Sequence, residues 1–128
     1  MSYYFAKVLD VPFEEAVTRA TAALKEQGFG VLTKIDVQAT LKEKLGVDFR
    51  PYVILGACNP PSAYEALQAE DRIGLMLPCN VIVQEREDGS AEVAAIDPIA
   101  SMAAVDNPAL ASLAQRVQAK LRAVIDSL

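Results

Sequence analysis

Two cysteines carry most of the chemistry this chain can offer, and each is followed directly by asparagine: Cys58-Asn59 in "GACNP" and Cys79-Asn80 in "LPCNV". A cysteine just ahead of a helix N-terminus feels unpaired amide N–H groups and the positive end of the helix dipole, which favours thiolate over thiol. Asn59-Pro60 reads as such a start, an N-cap side chain followed by a proline whose missing N–H leaves nothing unsatisfied. Cys58 is therefore the candidate nucleophile. Cys79 is the candidate resolving thiol for a sulfenic acid, persulfide or mixed disulfide formed on it. The same pair, Cys58 and Cys79, suits a soft metal such as Cu(I) or Zn(II). Against both stands the plainer reading that the two are small buried hydrophobes, as free cysteine often is. The amides of Asn59 and Asn80 and the carboxylate of Asp97, in "IDP", complete a candidate ligand-binding set, although caps, turns and solvated strand ends also account for them.

Other chemistry is limited by what is missing. The chain has no histidine, so Ser-His-Asp and Cys-His pairs and HExxH zinc sites cannot be built from it. A four-ligand structural zinc site would need a second copy of the chain to complete it. Glu85 and Asp97 are candidates for a carboxylate acid–base pair, with solvated charges as the alternative. Met76 and Met102 could complement thiolates at copper but read more simply as core, and Tyr3, Tyr4 and Tyr52 need no ligand to explain them in strands. Neither GxGxxG nor a Walker A pattern is present, so nothing points to a resident nucleotide or other named cofactor.

The elements that must position these residues belong to one domain, residues 1–128, long enough to bury a core without disulfide staples. A net charge of -5 speaks against nucleic acid as a partner. The start "MSYYFAKVLD" lacks a basic segment and apolar core of a secretory signal, and no apolar run approaches the ~20 residues of a membrane span. A cytoplasmic chain with reduced thiols is expected.

Residues 3–9 read as a strand, and the helix that follows buries Phe13, Val17, Ala20 and Leu24 on one face before Gly28 ends it. "GVLTKIDV" alternates, which predicts a second strand with Val31, Thr33, Ile35 and Val37 on one side. A short helix over 38–45 leads to "PYVILGA", a buried third strand that delivers the chain to Cys58. A helix from Pro60, strands in "PCNVIVQER" and "SAEVAAID" joined at Asp88-Gly89, and a long helix from Asn107-Pro108 complete the order. The fold class expected is α+β, a two-layer sandwich β-α-β(4)-α. Its antiparallel sheet carries two long helices on one face, with short helices inserted after the second and third strands. Neighbouring strands tend to pair, so the third and fourth should run antiparallel and bring Cys58 and Cys79 to one rim.

"GACNP", then Ala63, Ala66 and Leu67, then "IGLMLPCNVIVQE" and "IDP" together resemble the domain-of-unknown-function family 302, small bacterial and archaeal proteins, over nearly the whole chain. The resemblance implies a TATA-box-binding-protein-like fold and a homodimer, and no established reaction; the fold class does not bring DNA binding with it. Two functions follow. One is a non-catalytic module that binds a small ligand or soft metal at the Cys58/Cys79 rim or in a helix–sheet pocket. The other is a thiol-dependent redox or sulfur-transfer protein using Cys58 and Cys79. A segment such as "IDPIASMAAV" could also face a partner.

Overall fold

The structure, a computed structural model, describes residues 2–128. Five strands, β1 (Tyr4–Leu9), β2 (Gly30–Asp36), β3 (Tyr52–Cys58), β4 (Cys79–Glu85) and β5 (Ala91–Ile96), form one sheet in the order β1-β5-β4-β3-β2. Every neighbouring pair is antiparallel, so the expected pairing of β3 with β4 is present and β1 closes on β5. Two long helices, α1 (Phe13–Glu26) and α5 (Pro108–Asp126), lie on one face. The shorter α2 (Val37–Leu45) and α3 (Pro60–Ala69) follow β2 and β3, as the sequence predicts.

The apolar stripes of the two long helices explain the layering. Ala16, Ala20 and Leu24 of α1 and Leu113, Leu121 and Val124 of α5 are buried. They meet the inward side of the sheet, where Leu55, Val81, Val83 and Val93 are almost wholly removed from water. Such alternation along β4 and β5, buried at every second residue, is what a sheet with one covered face requires.

Start and stop signals behave as their chemistry dictates. Asn59 and Asn107 accept from main-chain N–H groups in the first turns of α3 and α5, each with proline at the helix start. Gly46 ends α2 in the left-handed conformation that a residue without Cβ adopts freely.

Three local readings change. A bulge between Val31 and Thr33 breaks the alternation of β2: Val31 pairs with Ala57 and Thr33 with Gly56, so the two side chains fall on opposite faces. Val37 is not in the strand but opens α2, behind the Asp36 side chain that accepts from Ala39 N–H. Asp71-Arg72, which suggests a surface turn, begins a 3-10 helix over Asp71–Met76, and a further short helix, α4 (Pro98–Ser101), follows β5.

Candidate functional site

Cys58 and Cys79 come together at one end of the sheet. Cys79 is the first residue of β4 and pairs with Ala57, the residue before Cys58. Side chains alternate along a strand, so Cys79 follows Ala57 to the helix-covered side while Cys58, paired with Gly30, starts toward the other. Both nevertheless line a single cavity of about 320 Å³, because that cavity wraps the ends of β3 and β4 under α3. Cys79 is buried and Cys58 partly so, and neither is in a disulfide.

The walls of this cavity come from four parts of the fold. Ala63, Ala66 and Leu67 descend from α3, Leu113, Ala114 and Val117 come from α5, Phe29 and Thr33 flank the start of β2, and Leu77, Pro78 and Met102 complete it from the connecting segments. The helix that roofs it is fastened at its C-terminal end and its middle. Asn107 Nδ2 donates to the carbonyl of Ala69 at 2.8 Å, and the exposed Arg116–Glu65 ion pair, also 2.8 Å, joins α5 to α3. No aspartate, glutamate, lysine or arginine is among the lining residues.

Asn59 sits in the wall with its amide occupied. Its Oδ1 accepts from Ser62 N–H at 3.2 Å and its Nδ2 donates to the Gly28 carbonyl at 3.3 Å, although the side chain is buried. Cys79 is held as a thiol: burial, reinforced by the neighbouring Cys58, pushes its pKa up to about 11. Cys79 thus stays protonated at neutral pH, whereas nucleophiles and metal ligands react as thiolates. Among the described residues, no cluster of three or more cysteine or carboxylate side chains is placed to hold a metal ion.

The remaining candidate residues lie apart from the cavity. Asn80 pairs with Gly56 and is exposed on the side of the sheet away from the long helices. Asp97 leaves β5 at the same rim as Cys79, since Val81 pairs with Ala95 two positions earlier. Its carboxylate, however, accepts from Ile99 N–H at 2.9 Å and from Gln118 Nε2 at 3.1 Å, and it caps α4. Glu85 pairs with Ala91 at the opposite end of the hairpin, about 20 Å of strand away, so Glu85 and Asp97 form no acid–base pair.

Met102 is buried and lines the same cavity as Cys58 and Cys79, whereas the tyrosines gather elsewhere: Tyr3, Tyr4 and Tyr52 border a depression on the open side of the sheet. Phe29, Leu113 and Val117 also line the cavity, and nothing in the sequence marked them as doing so. Their exposure to a cavity depends on α3 standing off the sheet end, which no local pattern encodes.

The profile of the family described as "Domain of unknown function DUF302" matches residues 5–128. The chain belongs to this family. A crystal structure of an uncharacterized conserved DUF302 protein from Bacillus stearothermophilus superposes with a TM-score of 0.90 at 31% identity, covering 98% of each chain. No curated protein matches the sequence. This DUF302 chain therefore shares its fold with a protein described as uncharacterized, and the likeness brings no activity with it. No helix among the described residues is long and apolar enough to cross a membrane.

Proposed function

We propose that this DUF302 protein is a non-catalytic module that binds a small ligand in the cavity at the Cys58/Cys79 rim. The observation that carries this reading is the cavity itself: about 320 Å³, at the lower end of the ~300–1,000 Å³ typical of ligand sites, and walled almost entirely by apolar side chains. The rim and the helix–sheet pocket, separable in the sequence, are one place in this reading. Acid–base chemistry is poorly served there, because the lining has no carboxylate, lysine or arginine and the chain has no histidine.

The thiol alternative keeps one supporting observation, the adjacency of Cys58 and Cys79 in the sheet. It ranks second because Cys79, the resolving thiol or second metal ligand it needs, is held protonated to about pH 11. An uncharged solvatochromic dye, N-phenyl-1-naphthylamine, tests the first reading. Its fluorescence should rise on adding wild-type protein and stay flat with Ala63→Phe, which fills the cavity from α3; an identical rise in both would remove the cavity from consideration.

A homodimer joins through the open face of the sheet in this proposal. One row of paired residues crosses all five strands there, Ala6, Ala94, Ile82, Ile54 and Ile35, every one apolar. Outward positions of a sheet with a solvated face are ordinarily polar. Five strands ~4.8 Å apart and three side-chain rows ~7 Å apart give a footprint of about 500 Å² per copy. Two such faces together reach the ~1,000 Å² at which specific interfaces begin. Net charge is -5, yet among the strand positions of this face Glu92 is the one ionised side chain, with the cationic Arg50 at its margin. Glu92 accepts from Gln84, which accepts in turn from Arg50, so two acidic copies can meet there with little repulsion.

A further inference from the structure

The cavity's shape and chemistry narrow its ligand, and the narrowing rests on the ligand-binding reading above. With no charged side chain in the wall, a charged group inside would lose its hydration without a partner. The polar side chains of the lining are few and carry no fixed charge: the Asn59 amide is committed to Gly28 and Ser62, Cys79 is a buried thiol, and Cys58 and the hydroxyls of Thr33 and Ser62 are the others.

The lining residues also come from both sides of the sheet. Ala57 and Cys79 bound the cavity from the helix-covered side of the sheet, and Thr33 and Cys58 from the other side of the same rim. A chain of freely rotating methylenes can reach both sides of the rim, which a compact cage cannot. At roughly 30 Å³ for each water-sized unit, about 320 Å³ takes about ten such groups.

Apolar side chains also collar the opening. Leu32 and Leu67 line the cavity while remaining 68% and 44% exposed. Leu75, 84% exposed, and Met76 precede the lining residues Leu77 and Pro78. Single exposed hydrophobics need no explanation, but several around an apolar cavity supply the surface on which the emerging part of an amphiphile would rest.

We infer that the cavity receives the hydrocarbon chain of an amphiphile, about ten carbons long, with the polar end left outside at the collar. Fatty acyl and alkyl compounds share this chemistry, and the chain is what the protein recognises.

Straight-chain primary alcohols from hexanol to tetradecanol, titrated into the full chain and followed by backbone amide shifts of Cys58, Ala63 and Val117, test this, with 1-adamantanol as a compact apolar control. Affinity should rise about fourfold per methylene and level off near ten carbons. Ala63→Phe should abolish decanol binding; should that variant fail to fold, Leu67→Gln should weaken it at least tenfold. Adamantanol binding at the cavity without any dependence on alcohol length would overturn the chain inference and leave the ligand-binding reading standing. No cavity shifts with alcohols, adamantanol or the naphthylamine dye would overturn both. Decanol binding unchanged in both variants would place the chain elsewhere and overturn the inference.

Discussion

Asn59 Nδ2 donates to the main-chain carbonyl of Gly28 at 3.3 Å, and this contact ties the turn after α1 to the start of α3. The geometry is tight on both sides. Gly28 has φ +82°, where side chains are strained, and a Cβ added there would stand 2.9 Å from Asn59 Nδ2. One residue thus caps a helix, closes a turn and walls the cavity.

Asn59→Ala should lower stability by about 1–2 kcal/mol, measured by urea unfolding, through loss of the cap and of a buried hydrogen bond. Asn59→Asp retains the cap but turns a carboxylate oxygen toward the Gly28 carbonyl, so it should be no more stable than the alanine variant. An aspartate variant as stable as wild type would show that the cap alone matters.

The Cys79 thiol makes stability pH-dependent in the alkaline range. Burial raises its pKa from 9.0 to about 11, so between these values the unfolded chain has lost a proton that the native chain keeps. Stability contributed by the protonated thiol is present below pH 9 and falls as pH rises toward 11, by up to about 2–3 kcal/mol. Thermal unfolding at pH 8 and pH 10.5 should show a larger drop for wild type than for Cys79→Ala. Equal drops would mean that the thiol is not desolvated in solution.

Much of this was legible before the fold was known, for reasons that differ by residue. The two Asn-Pro pairs are local devices whose side chains and missing N–H groups act within one turn, so they marked α3 and α5 directly. The Cys58/Cys79 rim followed from a neighbour rule that β3 and β4 obey. The bulge at Val31/Thr33 was not legible, because one inserted residue leaves an alternating sequence intact while reversing every side chain beyond it. The 3-10 helix in "DRIGLM" carries no periodic pattern long enough to read. The cavity itself is a difference between the volumes of several elements, and composition along any one of them is silent about it.

Gly56 has no room for a side chain. A Cβ there would overlap Thr33 Oγ1 and stand 2.8 Å from Pro78 Cγ, since the bulge in β2 aims Thr33 over this glycine. Gly56→Ala should therefore destabilise by about 1–3 kcal/mol. Adding Thr33→Ala should recover part of that loss by removing the first clash while leaving the second. A strictly additive double variant would mean that Thr33 and Gly56 do not touch.

Ile82 stands in the middle of the apolar row on the open sheet face, flanked by Ala94 on β5 and Ile54 on β3. It is only half-buried in the single chain, so a long charged side chain can reach solvent from there without entering the core. Ile82→Arg in a homodimer would bring two guanidinium groups together in a desolvated centre, a penalty of several kcal/mol with no partner to offset it. Light scattering at about 50 μM should then report twice the monomer mass for wild type and the monomer mass for Ile82→Arg, with unchanged circular dichroism. Leu75→Arg, on the 3-10 helix and 84% exposed, is the matching control and should remain dimeric. A monomeric wild type would leave the open face without a second copy; a dimer indifferent to Ile82→Arg would move the interface to another surface.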